Sequence, residues 1–136
     1  MTIYDIKTLK ELDDYLRYGP ARTHDALFEK ICIDKKNKSV SITLYEPYES
    51  VQTDIFLKNV CLFFSIETDS WGTDDESIYS FVAVDSLIGI ENIVKEANLN
   101  TERLLHLIFE MFSGNEIHIL CEEICFSVKN NEQHQI

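Results

Sequence analysis

Histidine and cysteine are the side chains of this sequence best suited to metal binding or covalent chemistry: His24, His106, His118 and His134, with Cys32, Cys61, Cys121 and Cys125. A zinc site wants about four nitrogen or sulfur ligands converging tetrahedrally, commonly as closely spaced pairs on a turn. His118, Cys121 and Cys125 supply one Cys-x3-Cys spacing and no second pair. On a strand, His118 and Cys121 would point to opposite faces, so the sequence points to no metal site. A Cys/His nucleophilic pair would need a local signature such as a Gly-flanked elbow, and none is present. Cys61 lies in the apolar run from Val60 to Ile66, where a thiolate is disfavoured. The four cysteines read as small core residues that stay reduced. An EF-hand calcium loop alternates its acids before a glycine and ends on a bidentate Glu. In ETDSWGTDDE, Trp71 precedes Gly72 and the acids Asp74, Asp75 and Glu76 are adjacent, so the pattern fails. Glu122 and Glu123 are neighbours that diverge on a strand, which makes them no glycosidase pair. There is no Gly-rich phosphate loop, and no cofactor is indicated.

The carboxylates carry more information as a surface. The chain of 136 residues has 12 bases and 24 acids, a net charge of -12. Residues 1–60 hold nine bases and ten acids, a net of -1; residues 61–136 hold three bases and fourteen acids, a net of -11. Such a balance opposes binding to phosphate backbones and to anionic lipid surfaces. It fits a basic protein partner instead. The densest stretch, Glu67 to Glu76, has five acids and no base around the only tryptophan. Asp69, Trp71, Asp74, Asp75 and Glu76 are therefore the candidate partner-binding residues, with Trp71 as an aromatic anchor and Glu122 and Glu123 as a second patch. The plainer reading is a solvated loop with Trp71 anchoring it to the core.

These residues have to be positioned by elements that the hydrophobic pattern marks out. Thr8 and Glu11 form a capping box; Leu9, Leu12, Tyr15 and Leu16 make one apolar stripe, and Gly19 in a left-handed conformation with Pro20 ends a helix of about ten residues. From Asp25 the period changes to that of strands. Val40, Ile42 and Leu44 alternate with polar residues, and Lys35-Lys36-Asn37-Lys38 closes a hairpin whose lysines guard it against edge pairing. Pro47 ends the second strand or places it near an edge. Asp54 to Glu67 is apolar on both faces and reads as one central strand. In SIYSFVAVD, Ile78, Val82 and Val84 share a side. Ser86 caps a second helix near residues 87–97 ending at Asn98. Residues 102–112 fit either period; we assign a strand, because Ser113-Gly114-Asn115 is a turn and EIHILCEEICFSV is a β segment. The apolar set shifts by one residue at Glu122-Glu123, which predicts a bulge or kink. The tail from about residue 130 is expected to fray. The expectation is a single α+β domain over residues 1–136, an antiparallel β-rich sheet or sandwich built from hairpins with an N-terminal helix and a second helix. The N-terminus lacks the layout of a signal peptide and no run spans a bilayer, so the expected location is the cytoplasm.

THDALFEKICID leading into SVSITLYEP, the central DIFLKNVCLFF, and FEMFSGNEIHILCEEICF together resemble small uncharacterised bacterial domains grouped with the immunity proteins of polymorphic-toxin systems. The positions that match are His24, Asp25, Ala26, Gly114, Glu116, Ile117 and Ile119, within residues 23–128. The resemblance brings no catalytic residues. It implies a non-enzymatic protein that masks a partner, possible occupants of that role being basic toxin domains. The alternatives are a small-ligand-binding or enzymatic β domain with an internal pocket, and a homo-oligomeric module joined by an edge strand.

Overall fold

A computed structural model describes residues 1–67 and 75–130. The alternation seen in the sequence becomes two antiparallel sheets. The first contains β1 (Ile3–Tyr4), β2 (Leu27–Asp34), β3 (Ser39–Glu46), β4 (Val51–Lys58) and β9 (Glu123–Asn130), in the order β1-β9-β4-β3-β2. The second contains β5 (Leu62–Ile66), β6 (Ile78–Val84), β7 (Leu105–Met111) and β8 (Glu116–Cys121), in the order β5-β8-β7-β6. Val40, Ile42, Leu44, Ile55 and Leu57 from the first sheet share one core with Leu105, Leu107, Phe109, Ile117 and Ile119 from the second. The fold is thus α+β and β-rich, with two sheets packed through their inner faces.

The segment from Asp54 to Glu67 is two strands rather than one central strand. Asn59 takes a left-handed conformation (φ 53°) and the chain passes from β4, inside the first sheet, to β5, an edge of the second. Its two apolar faces serve two different sheets. The return crossing is at Glu122, where the expected kink is a change of sheet: Ile117, Ile119 and Cys121 face the core from one side, and Ile124 and Phe126 from the other. The crossings are tied together, Glu122 N donating to the Lys58 carbonyl at 3.1 Å and Asn59 Nδ2 to Glu122 Oε2 at 2.7 Å. In β6 an irregularity at Tyr79 puts Ile78, Phe81 and Ala83 inward, so Val82 and Val84 lie on the outer side.

Helix α1 (Leu9–Tyr18) presses Leu12 into the core, and Tyr15 against Tyr4 and Phe126 with ring centroids 5.7 and 4.7 Å away. Its capping differs from the expectation. The capping box is Asp5 with Thr8, around a preceding 3-10 turn, and Thr8 makes no side-chain cap for α1 itself. Gly19 is extended (φ -75°) and not left-handed; a Cβ there would sit 2.5 Å from the Tyr15 carbonyl oxygen, so close approach is what requires glycine. Helix α2 (Glu91–Ala97) starts without a side-chain cap, at Ile90, while Asn98 takes the left-handed position at its end (φ 52°). Residues 102–112 do contain a strand, β7, and Gly114 turns it into β8 (φ 96°). Among the described residues, no helix is long and apolar enough to cross a membrane.

Candidate functional site

The second sheet has two packed faces. Inward it meets the first sheet. Outward, α2 and its flanks lay Ile90, Val94 and Leu104 over Leu120, with Leu62, Leu87 and Leu99 beside them. This covers one end of the outer face and leaves the other open. In cross-strand register the next row reads Val82-Ile108-His118-Phe64, with Ile108 and His118 still buried, and the open row beyond it reads Ser80-Glu110-Glu116-Ile66. Val82, Tyr79 and Ile88 are exposed large apolar residues on this side of the molecule. The acid excess also belongs to this layer: between residues 61 and 121 the described residues carry nine acids and two bases, Lys95 and Arg103.

Glu110 and Glu116 stand directly opposite each other across β7 and β8. Like charges so placed are destabilising by a few tenths to about 1 kcal/mol. Glu110→Gln is therefore expected to raise the midpoint of urea unfolding slightly; an unchanged or lower midpoint would show that the pair is not repulsive. The rim beside them holds Asp75 and Glu76. Asn115 Nδ2 donates to Glu76 Oε1 at 2.8 Å, and Ser113 N to the Asp75 carbonyl at 2.8 Å, which fastens both acids to the β7–β8 turn. Hydrogen bonds from the Ser77 side chain and backbone hold the Asp75 carboxyl below its ordinary pKa.

Of the residues singled out from sequence, Asp69, Trp71 and Asp74 lie outside the described residues, as does the tail after Asn130. Asp75 and Glu76 gather at the turn end of the second sheet. Glu122 and Glu123 sit at the other end of β8, at the crossing into β9, so the two patches are a strand length apart and do not form one cluster. Glu110 and Glu116 were missed. The signal was available: a turn centred on Ser113-Gly114 pairs residues whose numbers sum to 226, which sets 110 against 116 and 108 against 118.

The same register brings His106 and His118 together under the loop that precedes α2. His106 Nδ1 is 2.9 Å from the Ser86 carbonyl oxygen, His106 Nε2 is 2.8 Å from His118 Nδ1, and His118 Nε2 is 2.9 Å from Glu116 Oε1. Both rings are almost fully buried. Ser86 thus contributes its carbonyl here in place of the expected helix cap. Since a carbonyl only accepts, His106 Nδ1 carries hydrogen, His106 Nε2 accepts, and His118 Nδ1 donates. Two nitrogens on one tetrahedral zinc would stand about 3.3 Å apart, so 2.8 Å fits a shared proton. His118 and Cys121 lie on opposite faces of β8, and no group of three potential metal ligands converges among the described residues.

A separate open cleft of about 310 Å3 is lined by Arg22, His24, Asp25, Glu46, Tyr48 and Glu49. Its charged groups are engaged with one another or with backbone. Arg22 Nε bonds Glu49 Oε2 at 2.6 Å, and the Glu46 carboxylate accepts from the backbone N–H groups of Tyr48 and Glu49 at 2.8 and 2.7 Å. His24 turns Nδ1 to the Tyr79 carbonyl at 2.8 Å, with Nε2 3.7 Å from Asp25 Oδ1. Cys121 is fully buried, which pushes its thiol up to about 12, and burial also raises Cys61 and Cys125. Cys32 and Cys61 are exposed rather than core residues. No protein-family model matches the chain, and no curated protein matches it significantly.

Proposed function

We propose that this chain is a non-enzymatic binding protein whose acidic layer covers a basic protein partner, in the manner of an immunity protein occluding a toxin. The observation that carries this reading is the concentration of carboxylates on one layer, with Glu110 and Glu116 opposed on a half-open face beside exposed Val82 and Tyr79. An arginine or lysine from a partner would relieve that repulsion, while the apolar side chains would give contact area. Asp75 and Glu76 extend the acidic rim, and Asp69, Trp71 and Asp74 would complete it as neighbours in the chain. Glu122 and Glu123 would belong to a separate, secondary contact. Long-range attraction would act mainly on the association rate.

The test is capture of partners on the immobilised protein at low salt, then kinetics with each purified basic partner. Association is expected to slow with rising ionic strength. Asp75→Lys combined with Glu110→Lys is expected to slow it about tenfold, with little change in dissociation. Capture of neutral or acidic proteins alone overturns the reading, as does an association rate indifferent to salt and to both substitutions.

A further inference from the structure

The edges of the two sheets are treated unequally. β1 has only two residues, and β6 is bridged at Ile78 by the backbone of Asp25 and Ala26 and flanked by α1. β2 is an eight-residue edge on which every side chain except that of Phe28 is exposed. Ile31 and Ile33 pair with the core residues Ile42 and Val40, yet they remain 37% and 52% exposed because the second sheet does not cover them. A long bare edge with apolar side chains invites another strand.

We propose that the chain forms a two-fold dimer in which β2 pairs antiparallel with β2 of a second copy, centred on Cys32. A two-fold contact is isologous, so one residue must face its own copy. Centring on Lys30 or Asp34 sets like charges together. Centring on Ile33 faces Lys30 with Lys36 of the partner subunit, and centring on Ile31 faces Asp34 with Phe28 of the partner subunit. Within Lys30–Asp34, centring on Cys32 alone pairs opposite charges and like apolar side chains: Lys30 meets the partner's Asp34 twice, and Ile31 meets the partner's Ile33 twice. The isoleucines then form one apolar strip on the inner side, and the charge pairs flank Cys32 on the outer side. Hydrogen bonds from the Asn37 side chain and backbone hold the Asp34 carboxyl below its ordinary pKa, so it is charged for this role. Lys30 and Asp34 thereby act together as register selectors, each of the other pairings considered being penalised through one of them. The acidic layer stays free on both subunits, so this dimer is independent of the proposed partner.

Sedimentation velocity over a concentration series tests the dimer. The wild type is expected to pass from monomer to dimer. Lys30→Asp and Asp34→Lys should each raise the dissociation constant roughly tenfold, because each creates two like-charge pairs. The double exchange, Lys30→Asp with Asp34→Lys, should restore it. A short bismaleimide added to the Cys61→Ser protein should link two chains through Cys32, a readout that needs no change in β2. A monomer at all concentrations overturns the proposal. So does a dimer indifferent to the single exchanges, or one that Cys32 does not link.

Discussion

Phe109→Ala is expected to lower the unfolding free energy by about 3–5 kcal/mol. Phe109 is wholly buried in β7, stacked on Phe81 of β6 at 4.0 Å with an interplanar angle of 3°, and meets Phe28 of β2 edge-on at 5.1 Å. It therefore joins the two sheets where their inner faces meet. Truncation removes its transfer free energy and leaves a cavity lined by two rings that cannot collapse without moving both sheets. Against a total of roughly 5–15 kcal/mol for a domain, the variant would sit near its limit of stability. Phe56→Ala is the matched control. Phe56 is on the outward side of β4 and 39% exposed, and its loss should cost about 1 kcal/mol or less. Urea denaturation of the two variants separates these outcomes. Equal losses would mean that the inner faces do not form the common core.

The second large effect belongs to the buried histidines. His106→Ala leaves the Ser86 carbonyl and the His118 Nδ1–H without partners, each at roughly 1–3 kcal/mol, plus a cavity term. His118→Ala similarly strands the Nε2 of His106 and the Glu116 carboxylate. The double variant should cost less than the sum of the singles by about 1–3 kcal/mol, because neither ring then leaves the other unsatisfied. Additivity within about 0.5 kcal/mol would remove the His106–His118 bond from the account. The pH dependence has a definite sign. Burial holds His106 below its ordinary pKa; the Ser86 hydrogen bond opposes this, the neighbouring His118 adds to it, and Glu91 of α2 opposes it. The unfolded chain thus binds this proton first as pH falls, so stability is lost on descending from about pH 6.5 toward the folded value. That slope should be present in the wild type and absent in His106→Ala.

Much of this architecture is legible in the residues alone. The alternation of Val40, Ile42 and Leu44 and the turn at Gly114 define hairpins because each is a local fact about backbone and burial. The division of residues 54–67 is not, since an apolar pattern on both faces describes one strand covered twice as well as two strands in different sheets. The positive φ at Asn59 decides it. Likewise Ser86 has the chemistry of a helix cap, and a tertiary partner, His106, claims its backbone instead. The acid run around Trp71 is conspicuous because it is contiguous. Glu110 and Glu116 became a pair only once the hairpin register was applied, and two patches that look alike in sequence, Asp75-Glu76 and Glu122-Glu123, fall at opposite ends of one strand.

The position of β9 carries a consequence for synthesis. The strand nearest the C-terminal end of the described chain lies inside the first sheet, between β1 and β4, and supplies Ile124 and Phe126 to the core. While a ribosome is still making residues 123–130, β1 has no neighbour and β4 has a raw edge. The β2–β3–β4 meander can pair as it emerges, but its inner face stays uncovered until the chain crosses back at Glu122. Closure is therefore a long-range event that waits for residues 123–130 to emerge. A nascent chain stalled before Glu123 should be protease-sensitive throughout, whereas one released a few residues past Asn130 should be resistant.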